Sequence, residues 1–231
     1  MGVYDNIYFT KEYQNSLETC RKAVSGECSE EYSIDLSLGY SLWCGRYCTE
    51  RDGFYKCRLF STEGRAVFEY NINYDRIFSS FTAVFESTGE RYFIFKEDLY
   101  GYSVLRLSDM ECMHYIPRGE ERKGAVTGES FIFTDLHYCR DNNIAAAGGC
   151  FWAAPSDVAL LDLSDPLREP EKYTLIFPII NPERDYDRIE DVDFLRWEKD
   201  GRLIVSADGA AGKEEYAFSA QTLKRFMAAN D

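Results

Sequence analysis

Short apolar runs and polar, turn-forming gaps succeed one another along the chain, which is the pattern of strands rather than of long helices. Four apolar runs end in a serine, at residues 55–61, 103–108, 158–164 and 215–219. Another apolar run precedes each, at 40–44, 91–95, 143–147 and 202–206. Three of these follow turn signals that contain Gly89, Asn142 or Gly201. One strand further back stand 33–38, 81–85, 131–138 and 192–197, and closing strands are expected at 66–70, 112–116 and 173–177. The fourth unit offers only 222–226 as a closing element, which fits a strand or a short terminal helix equally.

The four serines, Ser61, Ser108, Ser164 and Ser219, lie 47, 56 and 55 residues apart. A recurrence near that length marks repetition of one supersecondary unit, here a four-stranded antiparallel meander. The inner strands, such as Phe93-Ile-Phe95 and Leu203-Ile-Val205, are apolar at successive positions. A sheet wetted on one side would alternate instead, so these sheets are expected to be dry on both faces. In layout, residues 31–226 resemble a β-propeller of the Trp-Asp-repeat (WD40-like) type, although the Trp-Asp and Gly-His pairs of that family are absent; Asp162-Leu-Ser-Asp165 and Asp135-Leu-His137 stand closest to their places. The resemblance implies an all-β fold of about four blades and recognition through loops on the flat faces. The expected domain spans 31–231. Residues 1–30 form an extension, with a strand at 6–10 that could close the ring against the last blade. A short helix is expected from Lys11 to Ala23, where Leu17, Cys20 and Val24 recur at helical spacing.

Composition agrees with a folded chain: 45 % hydrophobic, 29 % charged, and 16 % aromatic, the last favouring strands. Acids outnumber bases 40 to 26, a net charge of −14. That field repels a phosphate backbone and an anionic membrane, so neither nucleic acid nor membrane is expected as a partner. No secretory pattern opens the chain and no run reaches spanning length, so a cytoplasmic protein, monomer or homodimer, is expected. The eight cysteines then read as reduced, mostly buried thiols. Cys28, Cys44, Cys48 and Cys57 are a loose alternative zinc set, and no cofactor or metal is expected.

Candidate chemistry is sparse. Asp135, His137 and Cys139 alternate and would share one face of a strand. An Asp beside a His fixes the imidazole tautomer and a nearby thiol is a nucleophile, so a hydrolase or lyase site using Asp135, His137 and Glu129 is one reading. A structural Asp–His tether between sheets is the favoured one. The string from Gly148 to Pro155 places Phe151 and Trp152 on an expected loop, where aromatics on a rigid scaffold serve as binding anchors. Residues 183–193 are dense in acid, with Asp185, Asp187, Glu190 and Asp191 among them; the register does not fit an EF-hand loop, and a solvated recognition loop is expected. Residues 119–128 read as a polar connector. The functional expectation is a non-catalytic module that binds a partner protein. The alternatives are the hydrolase or lyase site and an acidic partner of a basic toxin.

Overall fold

The computed structural model describes residues 11–77, 79–116, 130–170, 173–210 and 212–229. The expected strand at 6–10, the connector at 119–128 and Glu129 lie outside these. The chain is all-β, with four antiparallel sheets of consecutive strands and few helices. The first sheet is β1 (Glu30–Asp35), β2 (Ser41–Cys48), β3 (Gly53–Phe60) and β4 (Ala66–Ile72). The second is β5 (Ala83–Ser87), β6 (Glu90–Phe95), β7 (Tyr102–Arg106) and β8 (Cys112–Tyr115). The third is β9 (Ile132–Cys139), β10 (Ile144–Cys150), β11 (Ser156–Asp162) and β12 (Thr174–Leu175). The fourth has three strands, β13 (Asp191–Trp197), β14 (Leu203–Gly209) and β15 (Gly212–Phe218). Helix α1 (Lys11–Ala23) precedes the sheets, α2 (Phe177–Ile180) follows β12, and α3 (Ala220–Ala229) follows β15.

The expected meanders are therefore present, with local differences. The first strand, expected at 33–38, is Glu30–Asp35 and is followed by a 3-10 turn at Ser37–Gly39. The closing strand expected at 173–177 is cut to two residues because Pro178 enters the first turn of α2, where a proline's missing N–H costs nothing. In the fourth unit α3 stands where a strand was the other option. Hairpin turns follow their residue chemistry: Thr88 and Gly89 both take positive φ between Ser87 and Glu90, the two-residue turn whose twist suits a hairpin.

Successive sheets share cores. Phe93 and Phe95 of β6 face Leu42, Cys44, Cys57 and Leu59 of the first sheet. Their neighbours Tyr92 and Ile94 face the third sheet, meeting Phe133, Ala145 and Ala147. On β10 and β11 the same alternation repeats: Ala145, Ala147, Ala159 and Leu161 point to the second sheet, while Ile144, Ala146, Val158 and Leu160 point to the fourth. The period-2 geometry of a strand thus feeds two cores from one apolar run. Each fully buried Phe, Leu or Ile contributes roughly 1.5–3 kcal/mol. Three cores join sheets one to two, two to three and three to four; among the described residues none joins the fourth to the first. The far faces of the end sheets carry ion pairs instead, with Tyr47 and Phe54 of the first covered by α1. The first carries the Lys56–Glu69 and Arg58–Glu69 pairs, and the fourth the Arg196–Glu215 and Lys213–Asp208 pairs.

Candidate functional site

Where the third sheet meets the fourth, a cleft of about 430 Å³ opens, lined by twelve residues that include Asp135, His137, Cys150, Ser156, Asp191 and Asp193. Two local features build it. First, β10 runs on through Gly148, Gly149 and Cys150, which were expected in a loop, and its register with β9 shifts between the two glycines. The reason for glycine is steric. A Cβ on Gly148 would lie 2.5 Å from the Asp135 carboxylate, and one on Gly149 would lie 2.2 Å from the Ile132 carbonyl oxygen. Second, β13 lies against β11 and β10, and the Trp197 indole N–H donates to the His137 carbonyl at 2.8 Å, tying the two sheets together.

Asp135 and His137 are brought together as alternation predicts: His137 Nε2 lies 2.9 Å from Asp135 Oδ1. The Thr134 hydroxyl donates to Oδ2 at 3.0 Å and the Gly148 N–H to Oδ1 at 3.3 Å. Burial pushes the Asp135 carboxyl up, but the bonds from His137 and Thr134 outweigh it and leave the group below the usual carboxylate range. It stays ionised at neutral pH and holds the imidazole in place. The His137 ring stacks on Phe194 with centroids 3.7 Å apart and planes within 7°. That contact joins residues 57 positions apart in sequence, and nothing in the local pattern signals it.

The other candidates separate. Cys139, expected on the same face, is buried at the end of β9 beside the Gly201 turn and does not line the cleft. The thiol that does is Cys150, which sequence reading did not single out; burial raises its pKa, so it is a poor nucleophile. Phe151, expected as a surface anchor, is 6 % exposed and packs edge-on against Phe131 in the core between the second and third sheets. Trp152 is 61 % exposed on the turn between β10 and β11, next to Ala154 and Pro155 of the cleft wall. Asp185 accepts the N–H groups of Asp187 and Arg188, a local turn bond. Asp185, Asp187 and Glu190 are exposed on the loop that leads into β13. Asp191 and Asp193 are drawn into the cleft, where the Ser156 hydroxyl lies 3.0 and 2.9 Å from their oxygens.

The cysteines of the loose zinc set do not converge. Cys44 and Cys57 lie in the core between the first and second sheets with sulfurs 3.8 Å apart, whereas Cys48 is exposed. All eight are free thiols. No helix among the described residues is long and apolar enough to cross a membrane.

No protein-family model matches the chain, and no curated protein matches it in sequence. Among solved structures it is similar to oligopeptidase B from Leishmania major, with 12 % identity and a TM-score of 0.31. The alignment covers 96 % of this chain and 37 % of that one, so the chain spans little more than a third of that protein's length.

Proposed function

We propose that the protein is a non-catalytic recognition module whose sheets are the blades of a propeller-like array, and that it binds a partner protein at the cleft between the third and fourth. The observation that carries this reading is Trp152. A tryptophan 61 % exposed costs solvation free energy unless a partner covers it, and it stands on a short turn between two strands of a rigid sheet. Rigid presentation lowers the entropy lost on binding. The adjoining cleft sets the charge of the partner. It holds Asp135, Asp191 and Asp193 and no Lys or Arg, and the acidic 183–190 loop leads into it. A basic segment of the partner suits such a wall, and the net charge of −14 steers it in.

Capture of partners from the native lysate by wild-type and Trp152→Ala protein tests the reading. The variant is expected to keep its melting temperature, since surface truncations change stability by only about 0.5 kcal/mol, and to lose the partner that the wild type retains. Unchanged capture, or loss of the fold, overturns it.

A second reading rests on the ionised Asp135 that orients His137 in a cleft also lined by Cys150 and Ser156. As a hydrolase the protein would cleave activated esters, and His137→Ala would abolish that turnover. No turnover by the wild type removes this reading.

A further inference from the structure

The cleft leaves unused a second set of titratable side chains, gathered where α1 meets the second sheet. Directly after β6 come Lys96, Glu97 and Asp98. Lys96 and Asp98 are 1 % and 2 % exposed. The Lys96 ammonium donates to the carbonyls of Leu99 at 2.8 Å and of Phe133, in the third sheet, at 2.6 Å. Asp98 Oδ2 accepts a hydrogen bond from the Tyr13 hydroxyl of α1, and His114 Nε2 lies 3.8 Å from the same oxygen. Asp98 Oδ1 is buried with no hydrogen-bond partner. On the other side of the imidazole, His114 Nδ1 lies 3.0 Å from Glu97 Oε2, which also accepts the Ser103 hydroxyl at 2.5 Å.

Tyr13 thus closes over a carboxyl group of which only one oxygen is satisfied. As an anion in this setting Asp98 keeps a desolvation cost that Tyr13, His114 and Lys96 offset only in part; as a neutral acid it does not. We propose that α1 is a pH-sensitive latch, whose first turns dock on the second sheet while Asp98 is protonated and loosen as it ionises.

The direction follows from the groups facing Asp98. Burial pushes its carboxyl up to about 6; Tyr13, His114 and Lys96 pull it down and Glu97 pushes it further up. When α1 lifts, the carboxyl regains water and returns toward the ordinary value near 3.9. A pKa raised in the docked state gives a docking advantage that is complete below that ordinary value and is lost as pH rises through about 6. Burial lowers His114, but the bond and charge of Glu97, with Asp98, leave it above its usual value; both carboxylates belong to the β6–β7 connection and not to α1, so they stay when α1 lifts and His114 does not set the direction. Burial brings Lys96 down to about 7, and its ammonium donates to the carbonyls of Leu99 and Phe133. Cys112 on β8 and Cys20 on α1 are both pushed by burial to about 11, outside the window. The far end of α1 is held by contacts that do not titrate there: Cys20 and Val24 pack on Tyr47 and Phe54.

From Asp98 alone the docking equilibrium is expected to fall about fourfold between pH 5.5 and pH 8. Amide hydrogen exchange of the full chain, corrected for intrinsic rate, reads this directly. Protection of Asn15 to Leu17 is expected to drop about fourfold or more with a midpoint near pH 6, while β6 and β10 stay level. Asp98→Asn is expected to flatten the profile. Tyr13→Phe, which keeps the ring and removes the bond, is expected to lower protection already at pH 5.5. A flat wild-type profile overturns the latch, as does an Asp98→Asn profile with the same midpoint. If Asp98→Asn does not fold, Tyr13→Phe decides: a profile identical to wild type overturns it.

Discussion

A bare Cα at position 148 is what allows Asp135 to face His137. The Asp135 carboxylate occupies the space a Cβ would take, so Gly148→Ala must push it 1 Å or so away or bend β10. Overpacking of this kind costs about 1–3 kcal/mol. Urea unfolding of Gly148→Ala is expected to show that loss, and the His137 imidazole signals are expected to broaden or shift as the 2.9 Å contact opens. At this scale the sequence was informative where the partners were two residues apart on one strand, as Asp135 and His137 are. It was silent where they came from different sheets. Phe194 against His137, and Tyr13 against Asp98, are each brought together by packing across long stretches of chain. Cys139 shows the limit of alternation: at about 3.3 Å per residue it sits past the end of the cleft, although it shares the parity of Asp135.

Among the elements, strands with two dry faces were the readable ones. Runs such as 93–95 and 203–205 have no polar position to turn outward, and the structure buries them completely. The weak element was the end of the fourth unit, where residues 222–226 admitted strand or helix. Helix α3 wins because Leu223 points into the core between the third and fourth sheets with no exposed area, joined there by Met227 four residues on. Leu223→Ala is accordingly expected to cost about 2–5 kcal/mol by cavity formation, seen as a lower urea midpoint. Phe151 and Trp152 were indistinguishable on a one-dimensional pattern. One turn of the chain sends the first into the core and the second into solvent, and Ala153 at φ 55° marks where that turn is made.

Among the described residues the four sheets form a series with three shared cores, and the first and fourth carry ion pairs on their other faces. Stability is then expected to be graded along the series, because the second and third sheets share a core with another sheet on each face and the first and fourth on one. Hydrogen exchange at fixed pH is expected to show β6, β7, β10 and β11 as the slowest strands and β1 and β15 as the fastest of the paired ones. Equal protection in all four sheets would show that an additional core joins the ends. The arrangement also explains why the recognition surface is expected at a seam. The inner sheet faces are covered by neighbouring sheets, which leaves turns and the cleft between the third and fourth sheets among the surfaces open to the proposed partner.

The order of polar and apolar residues by itself determined the strands, the recurring meander and the dry inner faces, because period-2 side-chain direction and turn chemistry act within a few residues. It also determined the acidic field, which needs no geometry. Which sheet faces which, and therefore that Phe194 meets His137, that Asp191 and Asp193 enter the cleft, and that Tyr13 closes over Asp98, was decided only in three dimensions. Those contacts depend on the stacking of whole sheets, and no local pattern encodes the distance between residues that lie on different ones.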